Sequence, residues 1–165
     1  MTEEQFRKMS ESIRRQKWMA FILNALDKMI TGITFLCYPL LIAFLFMQKD
    51  PFLIPSIVVP AVSFTIVTLF RKMYNAKRPY ELYDFEPVIQ KNTLGKSFPS
   101  RHVFSIFIIA MTFMQVQIDL GVWFLLLGAI LGAIRVFGGV HFIKDVSVGA
   151  ISGVVAGLIG YYIFF

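Results

Sequence analysis

The sequence predicts an all-α fold, a polytopic membrane bundle of five transmembrane helices preceded by an N-terminal amphipathic surface helix. Three observations carry this. Hydrophobic residues make up 57% of the 165 and charged residues only 16%, against about 45–50% and about 25% in soluble domains. Mean hydropathy is +0.69, and a soluble globule this small leaves too much area in water to hide that much apolar surface. The apolar residues also fall into runs of roughly spanning length, divided by short polar breaks. The same composition excludes a disordered chain. The lone Cys37 excludes an internal disulfide scaffold. Nucleic-acid binding is a poor reading of the net charge of +6, because the basic residues punctuate apolar runs and form no single solvated face.

Residues 1–17 are polar and charged. Thr2 and Gln5 have the spacing of a capping box, and Phe6, Met9 and Ile13 recur at helical intervals. This predicts a basic amphipathic helix on a membrane surface. It is no signal peptide, since no small-residue cleavage site follows an apolar core. Residues 18–28 are read as its interfacial continuation, so that 1–28 form one unit and 29–165 the membrane domain. The first span is Met29–Met47, with Pro39 as a site for a kink. Lys49, Asp50 and Pro51 make a turn. Phe52–Phe70 is the second span, and 71–100 the one long polar loop. The third span runs from near Ser100 to Val116, and Asp119 marks a tight turn. Leu120–Ile134 and Val146–Phe165 are the fourth and fifth spans, joined by the polar segment Arg135–Asp145. Gly128 and Gly132, and then Gly149, Gly153 and Gly157, recur every fourth residue. Such ladders let helices approach closely in lipid. They suit either packing within the chain or a homodimer.

The chemistry concentrates at three span ends. These are Arg71 to Pro79, Phe98 to His102, and Arg135 with His141 and Asp145. Alternating spans bring all three to one membrane face. Arginines, a lysine, a serine and a helix start suit a phosphate, because guanidinium forks and free backbone N–H groups match its oxygens. Ser100 follows Pro99 and is placed to begin a helix. His141 and Asp145 are four residues apart and share a face if that stretch is helical. A carboxylate on one ring nitrogen would fix the tautomer and free the other nitrogen as nucleophile. His102, on another helix, could supply the proton. Zinc fits poorly, since neighbouring arginines would repel it. Magnesium would have only Glu81, Asp84 and Glu86 to use.

At these residues the sequence resembles the type 2 phosphatidic acid phosphatase family, membrane lipid phosphatases that share a catalytic core with the vanadium haloperoxidases. The family pattern is K-x6-R-P, P-S-G-H and S-R-x5-H-x3-D. Arg78-Pro79, Pro99-Ser100-His102 and Arg135-x5-His141-x3-Asp145 match it in order and spacing. Arg71 stands in the first lysine register with Lys72 beside it, Arg101 replaces the glycine, and Ile134 replaces the serine. The family usually has six spans, and this chain reads as five. The resemblance implies His141 as the nucleophile that forms a phosphohistidine and Asp145 as its orienting group. It implies His102 as acid and then base. Arg71 or Lys72, Arg78, Ser100 and Arg135 would hold the phosphate, with a backbone amide near Arg101 helping and the Arg101 side chain adding a cation nearby. It implies no metal and no cofactor.

The expected activity is hydrolysis of a terminal phosphate from a lipid phosphate or diphosphate, such as phosphatidic acid, phosphatidylglycerophosphate or polyprenyl diphosphate. A lipid phosphotransferase with an alcohol acceptor is the alternative within the enzymes. A small transport or assembly protein is the alternative outside them, but the span centres carry only small hydroxyls such as Ser63 and Thr65. With five spans, every Lys and Arg except Lys49 lies on the face of the site. The positive-inside rule then turns that face to the cytoplasm. A sixth span through Trp18–Lys28 would reverse this, but Trp18–Met47 is only about 30 residues and two spans need about 40.

Overall fold

Thr2 opens the first helix, α1 (Glu3–Arg15), through the expected capping box. Its hydroxyl accepts from the Gln5 amide, and its own amide donates to Gln5 Oε1 at 2.9 Å. The computed structural model describes residues 1–91 and 93–164; Asn92 of the polar loop and Phe165 of the fifth run lie outside them. Gln16 breaks the chain, and α2 (Lys17–Gln48) follows as one helix of 32 residues. Residues 18–28 are therefore the first turns of the spanning helix and not a continuation of the surface helix. Pro39 sits inside α2, which remains helical through it. Next come α3 (Leu53–Tyr74), a single turn α4 (Pro79–Leu82), α5 (Arg101–Val116), α6 (Ile118–Phe137) and α7 (Ile143–Ile159). The last helix winds on as a π-helix over Gly160–Phe164. Asp119 lies in the first turn of α6, where an acid suits the helix dipole.

Four of these helices are long and apolar enough to cross a membrane: α2, α3, α6, and α7 with its continuation. The fifth, α5, is apolar but only 16 residues long, about 24 Å at 1.5 Å per residue. It can be short because it is central. It packs on α6 and α7 most extensively, and also on α2 and α3. Val103, Phe104, Ile106, Ile108, Ala110 and Phe113 on α5 are all buried. The molecule is an all-α integral membrane bundle built around that helix.

Both glycine ladders face α5. A Cβ at Gly149 would lie 2.7 Å from the Ser100 carbonyl oxygen, one at Gly153 2.9 Å from that of Phe104, and one at Gly157 2.5 Å from Met111 Cβ. A Cβ at Gly128 would meet the Phe107 ring at 2.6 Å. Gly128, Gly149, Gly153 and Gly157 are thus used for packing within the chain.

The amphipathic helix α1 also differs from expectation. Its apolar stripe turns onto the protein and away from lipid. Phe6 is fully buried, stacked on Phe85 and edge-on to Phe142. Ser10 donates to the Glu86 carbonyl, and Arg14 pairs with the Glu86 carboxylate. Asn24 of α2 donates to the Val88 carbonyl at 3.1 Å. These contacts tie residues 1–28 to the polar loop on one face of the bundle, as the five-span reading requires.

Candidate active site

Three chain segments meet at that face, and Asp145 joins them. It occupies the first turn of α7, where its Oδ2 accepts from the Phe142 amide at 3.1 Å. The same oxygen lies 3.3 Å from His141 Nδ1. Its backbone carbonyl accepts from the Ser100 amide at 2.8 Å, which fastens α7 to the start of α5. His141 itself precedes α7, which begins two residues later than a helical i, i+4 pair would need. The pair forms because the chain turns sharply at Gly139, whose φ of +74° suits only glycine.

Ser97 completes this group, and nothing in the motif spacing pointed to it. Its hydroxyl donates to Asp145 Oδ2 and lies 3.3 Å from His141 Nδ1. It is fully buried in the polar loop, three residues before Ser100. The Nδ1 proton of His141 therefore faces two oxygens, and Nε2 is left with its lone pair. Arg78 Nη1 stands 3.5 Å from that Nε2. Only 1% of His141 is exposed, so the imidazole sits in a packed interior and not at an open membrane edge. Burial pushes its pKa down, and the Arg78 charge pushes the same way against the pull of Asp145. Both effects favour the neutral ring.

The sequence-predicted cations divide into distinct groups. Arg78 is buried, with Nε donating to the Gly95 carbonyl at 3.2 Å and Nη1 to the Val140 carbonyl at 3.1 Å. Glu81 Oε2 accepts from the amides of both Arg78 and Gly95 at 2.8 Å and so closes the loop around this arginine. Arg71 is buried too, and between it and Lys72 the structure selects Arg71, since Lys72 is exposed. Yet Arg71 donates to the carbonyls of Lys96, Ser97 and Pro99. It buttresses the loop that carries Ser97 and Ser100. Arg101 is exposed, with its guanidinium 5.5 Å from the Phe64 ring centroid on α3. It makes no hydrogen bond to His141, Asp145 or Arg78, but it lines the cavity beside His102. Arg135 is buried and paired with Asp27 of α2. Lys91, which the motifs did not single out, is half-buried nearby; burial and the charges of Arg135 and Arg78 push its amine down to about 7.

Ser100 is the N-cap of α5, but its hydroxyl makes no cap bond. It is completely buried and its Oγ has no partner among the described residues. Such a group is costly unless something else satisfies it. The amides at the start of α5 precede the first intrahelical bond and are free for an anion. His102 stands one residue on, half-buried. It lines a cavity of about 80 Å³ with Thr31, Thr34, Phe35, Phe64 and Ile109, between α2, α3 and α5. Among the described residues, no group of three or more His, Cys, Asp or Glu is arranged to hold a metal ion.

The chain matches no curated protein sequence. Its structure is similar to the crystal structure of Aquifex aeolicus LpxE, with a TM-score of 0.74, 25% identity, and coverage of 95% of this chain and 92% of that one. It shares its fold with the first transmembrane PAP2 type phosphatidylglycerolphosphate phosphatase from Bacillus subtilis, with a TM-score of 0.68, 19% identity, and coverage of 95% and 83%. The PAP2 superfamily model matches residues 52–165. That range holds α3 to α7 and every site residue described above except Asp27, Thr31, Thr34 and Phe35, and the chain belongs to the PAP2 superfamily.

Proposed function

We propose that this protein is a membrane lipid phosphatase, which removes a terminal phosphate from a lipid phosphate or diphosphate through a phosphohistidine at His141. The observation that carries the reading is the His141 imidazole, with Nδ1 turned to Asp145 and Ser97 and Nε2 facing Arg78. The Nε2 lone pair attacks phosphorus while the bond from phosphorus to the lipid oxygen breaks. His102 gives its proton to that oxygen. Water, deprotonated in turn by His102, then splits the P–N bond and frees phosphate. Arg78, Arg135, the unpartnered Ser100 hydroxyl and the first amides of α5 surround the phosphoryl oxygens as charge builds up on them. The half-buried, largely apolar cavity at His102 suits the lipid side of the leaving group.

The test is phosphate release from phosphatidic acid, phosphatidylglycerophosphate and a polyprenyl diphosphate by the purified protein in detergent with EDTA. Release from at least one, with inhibition by vanadate, is the expected result. Activity lost in EDTA and restored by magnesium would replace the scheme with a metal-assisted one. Transfer of the phosphoryl group to an added alcohol with no free phosphate would make the protein a phosphotransferase.

We further place the site on the cytoplasmic face of the cell membrane, because every Lys and Arg except Lys49 lies on its side. A cysteine at the exposed Thr93, with Cys37 replaced, is expected to resist a membrane-impermeant thiol reagent in intact cells. Labelling without lysis would put the site outside.

A further inference from the structure

We propose that Asp27 is a positioning residue of the phosphate site, which aims the Arg135 guanidinium at the phosphoryl group beside His141. The inference rests on the phosphatase reading above. Asp27 lies on α2, outside residues 52–165, so the family match does not account for it. As a charge inside an apolar stretch, it looks in the sequence like an interruption of a span.

In the structure Asp27 grips one edge of Arg135. Nη2 donates to Oδ2 at 3.1 Å, and Nε lies 2.7 Å from Oδ1 as a charge pair outside hydrogen-bond geometry. The side chains are only 3% and 12% exposed. One charge-assisted hydrogen bond and the close Nε–Oδ1 charge pair together restrict the direction of the guanidinium. They leave Nη1, for which the described residues supply no acceptor, and the second hydrogen of Nη2. The backbone of the same arginine anchors the nucleophile, since its carbonyl accepts from the amides of Val140 at 3.2 Å and His141 at 3.3 Å. Asp27 therefore holds, by its side chain, a residue whose main chain carries His141.

Stability alone is a poor reason for such a pair. Two charges buried together gain little over apolar residues of the same size, because desolvation offsets their attraction. What the pair supplies is a fixed direction for a charge. A lysine at 135 could not be gripped in this way, since an ammonium has no plane.

The test uses the full chain in detergent, with vanadate as the probe and lipid phosphate hydrolysis as a second readout. Asp27→Asn is expected to weaken vanadate inhibition and lower kcat/KM together by about tenfold, the scale of one charge-assisted hydrogen bond. In an Arg135→Gln background the same change should have no further effect, because the group it aims is gone. Asp27→Glu should recover part of the loss. Wild-type vanadate affinity in Asp27→Asn, or equal losses in both backgrounds, would overturn the proposal and leave Asp27 a packing residue. Should Asp27→Asn not fold, Asp27→Glu carries the comparison: a shift of about threefold with Arg135 present and none with Arg135→Gln is expected, and equal shifts would refute it. A wild-type protein that vanadate does not inhibit would instead sink the phosphatase reading itself.

Discussion

Replacing His141 with alanine is expected to lower lipid phosphate turnover by about 10⁴-fold or more, since a missing nucleophile removes the covalent path and not one contact along it. The residue is buried, so the alanine variant leaves a hole. His141→Gln, nearer in volume, is the second variant and should elute and melt in detergent close to wild type, while His141→Ala should melt lower. The neighbours of His141 should follow in order of their contacts. Asp145→Asn loses the charge that orients Nδ1 and should cost about 10²-fold or more. Ser97→Ala removes one of two oxygens near Nδ1 and should cost about tenfold.

The pH profile adds a sign. Burial, with Arg78 beside Nε2, depresses the His141 pKa in the free enzyme. The nucleophile therefore stays unprotonated as pH falls through the ordinary histidine value of about 6.5. The acid limb of kcat/KM assigned to His141 should lie well below that value. Near-normal turnover by both His141 variants would end the phosphohistidine mechanism.

A valine at Gly149 is the second large effect. The site depends on how closely α7 approaches α5, because Ser100 and His102 come from one helix while Asp145, and His141 just ahead of it, come with the other. A Cβ at Gly149 would lie 2.7 Å from the Ser100 carbonyl oxygen, 3.4 Å from its amide nitrogen and 3.5 Å from the Phe104 amide nitrogen. All three are backbone atoms, so no side chain can swing aside, and the helices must part. A shift of about 1 Å at a reacting group is enough for a loss of about 10²-fold. Overpacking should also cost about 1–3 kcal/mol of stability. Gly132→Ala is the control. Its Cβ would sit 3.7 Å from Val146 Cβ and 3.9 Å from Val103 Cγ2, ordinary contact distances. It should leave rate and melting temperature unchanged. If Gly149→Val worked as well as Gly132→Ala, the close approach of α5 and α7 would not be what sets the site.

The architecture was legible in the sequence because bilayer insertion is decided by local quantities. Run length, hydropathy and turn residues place α3, α5 and α6 within a few residues of their observed ends. The capping box at Thr2 is equally local. Motif spacing carried His141, Asp145, Arg78 and Ser100 to one place, since fixed offsets from span ends on one face leave little freedom. Local pattern failed where a residue's partner lies far along the chain. Charged residues in and near Trp18–Lys28 look like an interfacial stretch, whether water or protein solvates them. Only the packing of α2 on α6 shows that Asp27 meets an arginine 108 residues away.

The remaining differences have the same origin. Phe6 and Ile13 would make a lipid-facing stripe by periodicity, but both are buried in the protein, Phe6 against Tyr83 and Phe85 of the polar loop. Arg71 and Arg101 carry the same charge near the same loop. The direction of each side chain from its helix gives one the carbonyls of Lys96, Ser97 and Pro99 and the other the face of Phe64. Ser97 has no motif of its own and becomes part of the site because the loop folds back on α7. The sequence alone thus determined that the chain is a membrane bundle with a phosphate-handling end. Which groups at that end face His141 was decided by tertiary structure, because it depends on which helix faces meet, and no short-range pattern encodes that.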